Sequence, residues 1–447
     1  MTMAAPLQFF NPQASQVLLL AQQVRAWERL APAPREALQH TQLHQLCGHA
    51  HRHSPFWRLR LAQAGFDERR PDPSVLGRLP VLTRAELQHS FEAMRARWPG
   101  LDEADVAVSI TSGSTGMPVR VEKARSFYAP LYAATAWIDT QWHQRDPSRK
   151  MAVLAFSPPS ADSTSPSWGS MYESLGLRGQ SLVRSLTGHS MDSHLDWLLA
   201  QQPDYLKCSP VAVAELAQLA LARGVTLPLK QVISQSERVT SRQRTLCREA
   251  FGAPIIDRYS CEETGWLALQ CPVHTHLHAM SASVWLEIVD ELGQPCPPGQ
   301  VGRVLVTSLH SFAMPIIRYE LGDLAEWGAP CDCGITLPVI ARMWGRMRHQ
   351  VRLPSGLRMP MPFFGDELGL FEAIQAFRIV QYRGGELVLF LQVSRPLTDA
   401  EQQRIRVIFA TNGLGELPLV LVEVDQLAWD TGSKREEFVH TEADWEA

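Results

Sequence analysis

The chain has 447 residues, of which 45% are apolar and 20% charged, and its formal net charge is −4. This balance is typical of a globular protein with a large core, and the length predicts two or more domains. Lysine and arginine residues are scattered, so no basic stripe supports nucleic-acid binding. Residues 1–10 lack the order of a signal peptide, and no apolar run approaches the roughly 18 residues of a membrane span. We therefore expect a cytoplasmic protein that has no membrane segment.

The predicted elements begin with helices over residues 14–52, where Gln, Leu and Ala recur at helical spacing. Two strands, 106–110 and 119–121, flank a loop of Ser, Gly and Thr residues. From residue 151 to about 260, short apolar runs alternate with helical stretches such as 211–223. This alternation is typical of an α/β sheet with crossover helices. Alternating strands dominate over residues 283–308.

The sequence changes in character after Gly345. Segments 375–381 and 387–393 flank a Gly-Gly turn as a hairpin, and Thr398 and Glu401 form a capping box that starts a helix. We predict an α/β protein with a large N-terminal domain of mixed and parallel sheets, residues 1–345, and a small α+β domain, residues 346–447.

The loop Thr111-Ser112-Gly113-Ser114-Thr115-Gly116 supplies four hydroxyls, and its two glycines allow the main chain to curl around a polyanion. Such a loop can hold phosphates. No Gly-Lys-Ser/Thr follows it, which disfavours a P-loop kinase or ATPase. A plain polar turn is the alternative interpretation.

Two acidic positions have the chemistry of a nucleotide site. Asp323 follows Gly322 between apolar neighbours, where a carboxylate can accept both hydroxyls of a ribose. Glu262 and Glu263 end a predicted strand and could hold Mg²⁺ against phosphate oxygens. A Gly-Asp turn and a solvated strand end are the simpler alternatives.

These segments, followed by Gly345-Arg346 and then Lys434, resemble in their order the adenylate-forming ligase superfamily. Within it the chain is most similar to phenylacetate-coenzyme A ligases, through the segments 53–57, 79–83 and 314–319. The resemblance covers nearly the whole chain. It implies an AMP-forming acid-thiol ligase that uses ATP and Mg²⁺ to convert a small carboxylic acid into an acyl-adenylate and then transfers the acyl group, with coenzyme A as the expected acceptor.

The resemblance also implies roles for individual residues. Lys434 would be the catalytic lysine on a mobile C-terminal domain, Glu263 the magnesium carboxylate, Asp323 the ribose acid and Arg346 the neighbour of the hinge. Ser236-Glu237 resembles the segment that borders the adenine. The nucleotide-binding residues implied in this way are Thr111, Ser112, Gly113, Ser114, Thr115, Gly116, Ser236, Glu237, Tyr259, Asp323 and Arg346.

The chain departs from the family pattern at several positions. Ser260 replaces a usual glycine, and Glu262 replaces a usual Ser or Thr, so the nucleotide pocket is more acidic. Arg348 stands where an acid is usual, and Gly432-Ser433 inverts the order before Lys434. A surface lysine is the alternative interpretation of Lys434, and a catalytically silent nucleotide-binding homologue is the alternative for the whole chain.

Four residues have the types and spacing of a structural zinc site. Cys331 and Cys333 form a Cys-x-Cys-Gly turn, while Cys271 and His278 lie seven residues apart. Three thiolates and one imidazole complete a tetrahedral Zn²⁺ shell and leave no position for water. His274 and His276 are rival ligands, and members of the phenylacetate-coenzyme A ligase family share the pattern. The alternative is a set of buried apolar cysteines.

The sequence gives less information about the acid substrate and about the acceptor of the acyl group. Tyr128, Tyr132 and Trp137 follow the phosphate loop on a predicted helix that, in the family, lines the acyl pocket, so an aromatic acid could stack there. Core packing is the commoner role of such a stripe. Residues 347–353 lack the paired acids that often follow the hinge, which leaves a carrier-protein thiol or an amine as alternative acceptors. A homodimer is one expectation for the assembly.

Overall fold

A computed structural model of the chain describes residues 11–110, 118–156, 162–235, 237–346, 350–356, 358–361, 364–427 and 438–445. The helices predicted near the start are confirmed. Proline residues begin the second and third helices, Ser54 caps the third, and a Thr83–Glu86 capping box begins the fifth. The helices are α1 (Pro12–Trp27), α2 (Pro32–His53), α3 (Pro55–Gln63), α4 (Val75–Arg78), α5 (Arg84–His89) and α6 (Phe91–Met94).

A β-hairpin and a long helix follow. Strands β1 (Val106–Ile110) and β2 (Arg120–Ala124) pair antiparallel, with Ile110 opposite Arg120. The two strands predicted around the Ser/Gly/Thr loop are therefore confirmed, while the loop itself, Thr111–Gly116, lies outside the described residues. Helix α7 (Arg125–Trp142) starts directly after β2 and packs against α1.

The predicted α/β region forms a six-stranded sheet in the order β4-β5-β3-β6-β7-β8, parallel except for β4. Its apolar strand and helix positions form one core that includes Leu154, Leu206, Val213 and Phe251. The elements are β3 (Met151–Ala155), β4 (Ser163–Ser165), α8 (Ser170–Ser174), β5 (Ser181–Ser185), α9 (Met191–Gln201), β6 (Tyr205–Cys208), α10 (Pro210–Ala222), β7 (Gln231–Ser234), α11 (Ser241–Phe251) and β8 (Ile255–Ile256).

A second, antiparallel sheet of seven strands has the order β12-β13-β14-β15-β11-β10-β9. Its core includes Ala268, Ile288, Val304 and Ile340, which are nearly inaccessible to solvent. The strands are β9 (Arg258–Cys261), β10 (Gly265–Gln270), β11 (Leu277–Ala279), β12 (Val284–Val289), β13 (Val301–Ser308), β14 (Tyr319–Trp327) and β15 (Val339–Arg346).

The chain after residue 350 has a core of its own, which runs from Val351 to Phe438 and includes a stacked Phe364–Phe409 pair. The predicted hairpin and the Thr398 capping box are confirmed. The elements are β16 (Gln350–Arg352), β17 (Arg358–Pro360), α12 (Gly365–Leu368), β18 (Ile374–Gln381), β19 (Leu387–Val393), α13 (Asp399–Phe409), β20 (Leu419–Val424) and β21 (Phe438–His440), with β20-β19-β18-β21 as one sheet.

The segments that carry the family resemblance meet in one core between the N-terminal helices and the antiparallel sheet. Fully buried Trp57 donates its indole N–H to the carbonyl of Pro315 at 2.8 Å. Leu82 and Glu320 form backbone hydrogen bonds that attach the segment before α5 to β14. Among the described residues, no helix has the length and the apolar character needed to cross a bilayer.

Candidate functional site

Tyr259, one of the predicted nucleotide-binding residues, contacts the predicted ribose acid Asp323. Tyr259 donates its hydroxyl hydrogen to Asp323 Oδ2 at 2.7 Å. The two residues lie on β9 and β14, which are four positions apart in the sheet and would be separated by about 19 Å if the sheet were flat. The sheet must therefore curl so that its edge strand approaches β14. The curl brings Tyr259 and Asp323 together, as expected of residues that share a ligand.

The backbone around Asp323 has a conformation that its sequence explains. Gly322 has a φ of +76°, a region that side chains with a Cβ seldom adopt. This glycine turns the strand and leaves Asp323 only 8% exposed. Arg346 lies directly opposite Asp323 in the β14–β15 pairing, so the ribose acid and the predicted hinge position are neighbours in the sheet.

The predicted magnesium carboxylate is also buried. Glu263 lies in the turn between β9 and β10, is 7% exposed, and accepts a hydrogen bond from the Tyr319 hydroxyl at 3.2 Å. Arg84 Nη1 lies 3.9 Å from Glu263 Oε1. Burial, and next the charge of Glu263, raise the pKa of Tyr319, so the phenol remains a donor to the carboxylate. A buried carboxylate with one hydroxyl and one distant guanidinium retains lone pairs for a cation.

Contacts between the segments 79–83 and 314–319 explain why Arg84 and Tyr319 lie close to Glu263. The buried guanidinium of Arg318 donates to the Leu79 carbonyl at 2.8 Å and pairs with Glu287 at 3.2 Å. The Leu82 amide then donates to the Arg318 carbonyl at 2.9 Å. These contacts attach the segment at 79–83 to the start of β14. Arg84 directly follows that segment, and Tyr319 directly follows Arg318.

A lysine anchors the hairpin that carries the predicted phosphate loop. Lys123 on β2 donates to the Glu262 carbonyl at 2.6 Å, and its ammonium lies 4.3 Å from the centre of the Tyr128 ring. Burial lowers the pKa of Lys123, while the charge of Glu262 opposes the shift. The hairpin and the acidic turn with Glu262 and Glu263 are therefore held against each other.

Several predicted site residues lie outside the described residues. These are the whole phosphate loop, Ser236 and the predicted catalytic lysine, Lys434. Glu237 is described and lies three residues after β7, partly buried. Of Arg346, the structure describes the backbone as the last residue of β15. The structure thus brings Tyr259, Asp323 and the Arg346 backbone together, and Glu263 lies in the turn after the strand that carries Tyr259.

Two of the three predicted pocket aromatics line one small cavity. The Tyr128 and Tyr132 ring centres are 5.6 Å apart, and Tyr132 stacks on Trp266 at 5.2 Å. Tyr128, Tyr132 and Trp266 line a cavity of about 20 Å³, and Thr264 and His310 are among its other lining residues. Its volume is close to that of a single water molecule, so an aryl ring could enter only after a side chain moves. Trp137 lies elsewhere, 6.2 Å from Tyr172.

Sequence reasoning missed three residues of this site: Arg84, Lys123 and Trp266. Arg84 directly follows the segment 79–83, and Lys123 lies in the strand after the phosphate loop, so the position of each next to a recognised segment could have indicated it. Trp266 lies in an apolar strand and carried no signal of its own. Its place in the site follows only from the packing of β10 against α7, which stacks Trp266 on Tyr132.

The four predicted zinc ligands lie together at one end of the antiparallel sheet. Cys271 Sγ is 3.9 Å from Cys331 Sγ, and Cys333 Sγ is 3.4 Å from His278 Nε2. The ligand atoms of Cys271, His276, His278 and Cys331 all lie within 4.8 Å of one another. Cys333 is not in this group of four and joins it through its contact with His278, so the structure places five candidate ligands near one another where a tetrahedral ion needs four. His274 instead contacts Asp332 at 2.6 Å.

The surroundings of this cluster fit a metal ion. The amides of Val273, Cys333 and Ile335 point at the three sulfur atoms at 3.4 Å, as they would at metal-bound thiolates. Burial raises the pKa of the Cys271 and Cys333 thiols, so a cation is needed to hold them as thiolates. His278 donates from Nδ1 to the Leu337 carbonyl at 3.3 Å, which leaves Nε2 as the lone pair that faces Cys333. In the described structure, the buried Nε2 of His276 has no hydrogen-bond partner. Burial lowers the pKa of His278 to about 4, so the imidazole is neutral.

Comparison with known proteins gives relatives that match most of the chain. No family model matches it. It is 25% identical over 387 residues to the phenylacetate-coenzyme A ligase of Thermus thermophilus, covering 82% of this chain and 84% of that protein. It is 24% identical over 379 residues to the Pseudomonas putida phenylacetate-coenzyme A ligase, and the match covers 79% of this chain and 80% of that protein.

Solved structures match the fold. A 2-hydroxyisobutyryl-CoA ligase in the postadenylation state with 2-HIB-AMP is 21% identical and has a TM-score of 0.75, over 93% of this chain and 91% of that one. The same ligase in the thioesterification state scores 0.59 over the same shares. An anthranilate CoA ligase with anthranoyl-AMP is 16% identical and scores 0.52 over 73% and 65%. The resemblance and the fold class predicted from the sequence are both confirmed.

Proposed function

We propose that this chain, which has the fold of adenylate-forming CoA ligases and resembles phenylacetate-coenzyme A ligases over most of its length, is an AMP-forming acid-thiol ligase. It activates a small carboxylic acid, aromatic by preference, as acyl-AMP and transfers the acyl group to coenzyme A. The observation that carries the proposal is the pair of buried carboxylates, Asp323 and Glu263, each held by a tyrosine hydroxyl within one curled sheet.

The two carboxylates have separate tasks in this proposal. Asp323 accepts the ribose hydroxyls, and Tyr259 fixes its orientation by donating to the second oxygen. Glu263 holds Mg²⁺, which would neutralise phosphate charge when ATP is bound. Tyr319 and Arg84 orient the Glu263 carboxylate. Lys123 keeps the hairpin of the phosphate loop, Thr111–Gly116, in contact with this acidic turn.

The C-terminal region supplies the remaining catalytic group. We assign Lys434 to the negative charge that develops on the α-phosphate and the substrate carboxylate during adenylation. Residues 346–447 form the domain that carries it, and the separate core over 351–438 supports this division. The difference between TM-scores of 0.75 and 0.59 for two states of one ligase supports a movable arrangement of the kind that two half-reactions require.

A structural Zn²⁺ completes the proposal. Cys271, Cys331, Cys333 and His278 would hold it, with His276 as the rival nitrogen ligand. The ion would connect the loop after β10 to the loop before β15 and would leave no coordination position for substrate. The support is the convergence of five donor atoms, the amides that point at the sulfur atoms, and the unpaired Nε2 of His276 in the described structure.

Pyrophosphate release tests the proposed function. The full chain is incubated with ATP, Mg²⁺ and a panel of aryl, arylacetic and short aliphatic acids, with and without coenzyme A. We expect acid-dependent release of pyrophosphate and AMP, highest with an aryl or arylacetic acid, and a coenzyme A thioester as product. ADP and phosphate as products, or no response to any acid, would contradict the assignment.

A further inference from the structure

The side chain of Lys207 forms no hydrogen bond or ion pair with another described residue. Lys207 is in β6, between Leu206 and Cys208, which are fully buried in the core of the parallel sheet. Successive side chains of a strand point to opposite faces, so Lys207 points away from this core. In the pairing of β6 with β7 and of β7 with β8, Lys207 lies beside Ile233, and Ile233 lies beside Ile256, two residues before Arg258. The charges of Arg258 and of Asp139 on α7 both act on the pKa of Lys207.

The charges around Lys207 do not balance. Asp139 Oδ2 accepts from Arg145 at 2.6 Å and lies 3.1 Å from Arg258 Nε, and both ion pairs are almost completely buried. A single carboxylate therefore faces two guanidinium groups and the Lys207 ammonium. His143, also beside Asp139, does not add to this charge, because burial lowers its pKa to about 4. Buried cations without a counter-charge are costly, so an anion from outside would stabilise this group.

Hydrogen-bond donors in the same place also lack acceptors in the described structure. The buried Arg145 Nη2 and Trp266 Nε1 have no hydrogen-bond partner there, and among the acceptors the same holds for Asp139 Oδ1. Burial, and next the charge of Arg258, lower the pKa of Lys207 to about 8, so the ammonium is mostly protonated at neutral pH. The unpaired donors and the positive charge both favour an anionic ligand.

This cationic group is continuous with the aromatic cavity. The Arg258 guanidinium lies 5.3 Å from the centre of the Trp266 ring, and Trp266 stacks on Tyr132. Trp266 and Tyr132 are also walls of the small cavity. An acid that displaced the Trp266 ring would meet the Arg258 guanidinium behind it. Trp168 and Tyr205, with ring centres 5.0 Å apart, add apolar surface on the same side of β6.

We propose that the acid substrate carries a second anionic group, a carboxylate on the ring or chain, and that Lys207 with Arg258 selects for it. This inference rests on the proposed function and specifies its substrate class. Arg258 has the further task of balancing Asp139, so Lys207 is the residue whose charge can be removed with the least structural damage.

The test compares matched acids on the full chain. The probes are phenylacetic acid, the ortho, meta and para carboxyphenylacetic acids, and the corresponding carboxamides, which keep the shape and remove the charge. The readout is kcat/KM for pyrophosphate release, with kcat and KM reported separately. We expect the wild type to prefer at least one diacid over its carboxamide by about tenfold or more, mainly through KM.

Three variants locate the source of the preference. Lys207→Met, which keeps the length of the side chain, should remove most of the preference, and Lys207→Arg should retain it. Lys230→Met, at an exposed lysine just before β7, should change nothing. Equal use of diacid and carboxamide by the wild type, or a ratio unchanged in Lys207→Met, would overturn the inference while the ligase assignment stands. If no acid, charged or neutral, releases pyrophosphate from wild-type protein, the proposed function itself fails.

Discussion

At the scale of single residues, Lys434 has the most specific expected role. Because it acts on charge that develops in the transition state, Lys434→Ala should slow adenylation by about a hundredfold or more and leave ATP binding largely intact. Single-turnover pyrophosphate release measures the rate, and Lys230→Ala serves as the exposed-lysine control. Near-normal release by Lys434→Ala would show that this lysine is a surface residue.

Asp323 should affect nucleotide binding and not the chemical step. Asp323→Asn removes a charged acceptor of the ribose hydroxyls, so KM for ATP should rise by about tenfold or more. Tyr259→Phe, which loses the 2.7 Å hydrogen bond to Asp323, should raise the KM for ATP severalfold. Glu326→Gln on the same strand is the matched control. A KM for ATP that stays normal in Asp323→Asn would contradict the ribose assignment.

The sequence predicted individual residues when a motif or a spacing marked them. Asp323 and Glu263 were singled out because they lie in ordered motifs that resemble those of the adenylate-forming ligases, whereas a Gly-Asp turn or a solvated strand end would explain each of them alone. Trp266, Arg258 and Lys207 were not found, because the role of each depends on which element packs across its strand. Strand sequence does not contain that information.

At the scale of elements, the loops that carry Cys271, Cys331 and Cys333 depend on the metal in this account. We expect about one Zn²⁺ per chain, and Cys333→Ser should lose it and lower the melting temperature by about 5 °C or more before activity per folded molecule falls. Metal analysis and thermal denaturation measure both. Cys296→Ser, at a buried cysteine outside the cluster, should retain zinc.

The identity of the nitrogen ligand can be tested in the same assay. His278→Ala should lose zinc, whereas His274→Ala should retain it, because His274 is engaged with Asp332. Zinc-free wild-type protein with an unchanged melting temperature would contradict a structural site.

Secondary-structure elements were predictable where their signal is local. The capping box at Thr398 and the hairpin at 375–393 follow from turn and cap chemistry within a few residues. The curl of the antiparallel sheet was not predictable, because it depends on contacts such as Tyr259–Asp323 between strands that are distant in both chain and sheet.

At the scale of the whole molecule, the account requires the region after Arg346 to change its orientation between half-reactions. Gly345 itself is a poor position to test this, because it pairs with Leu324 within β15 and has a φ of +104°, which proline cannot adopt. A proline there would disrupt the sheet and reveal nothing about motion.

Arg348→Pro is the better probe, since it restricts the segment between β15 and β16, and Arg348→Ala controls for the lost charge. We expect the proline variant to impair adenylation and thioester formation unequally, by about tenfold in their ratio, because one orientation is favoured. Rapid-quench measurement of both half-reactions gives the ratio. Equal reductions would indicate simple destabilisation and would remove the support for rotation.

The central claim is that this chain makes an acyl-adenylate and then transfers its acyl group to a thiol. The most direct measurement is mass-spectrometric detection of enzyme-bound acyl-AMP after ATP, Mg²⁺ and the best acid of the panel are added without coenzyme A, followed by a chase with coenzyme A. We expect close to one acyl-AMP per active site, converted on the chase to acyl-coenzyme A and AMP. The absence of acyl-AMP under conditions in which ATP binds, or an adenylate that coenzyme A leaves intact, would contradict it.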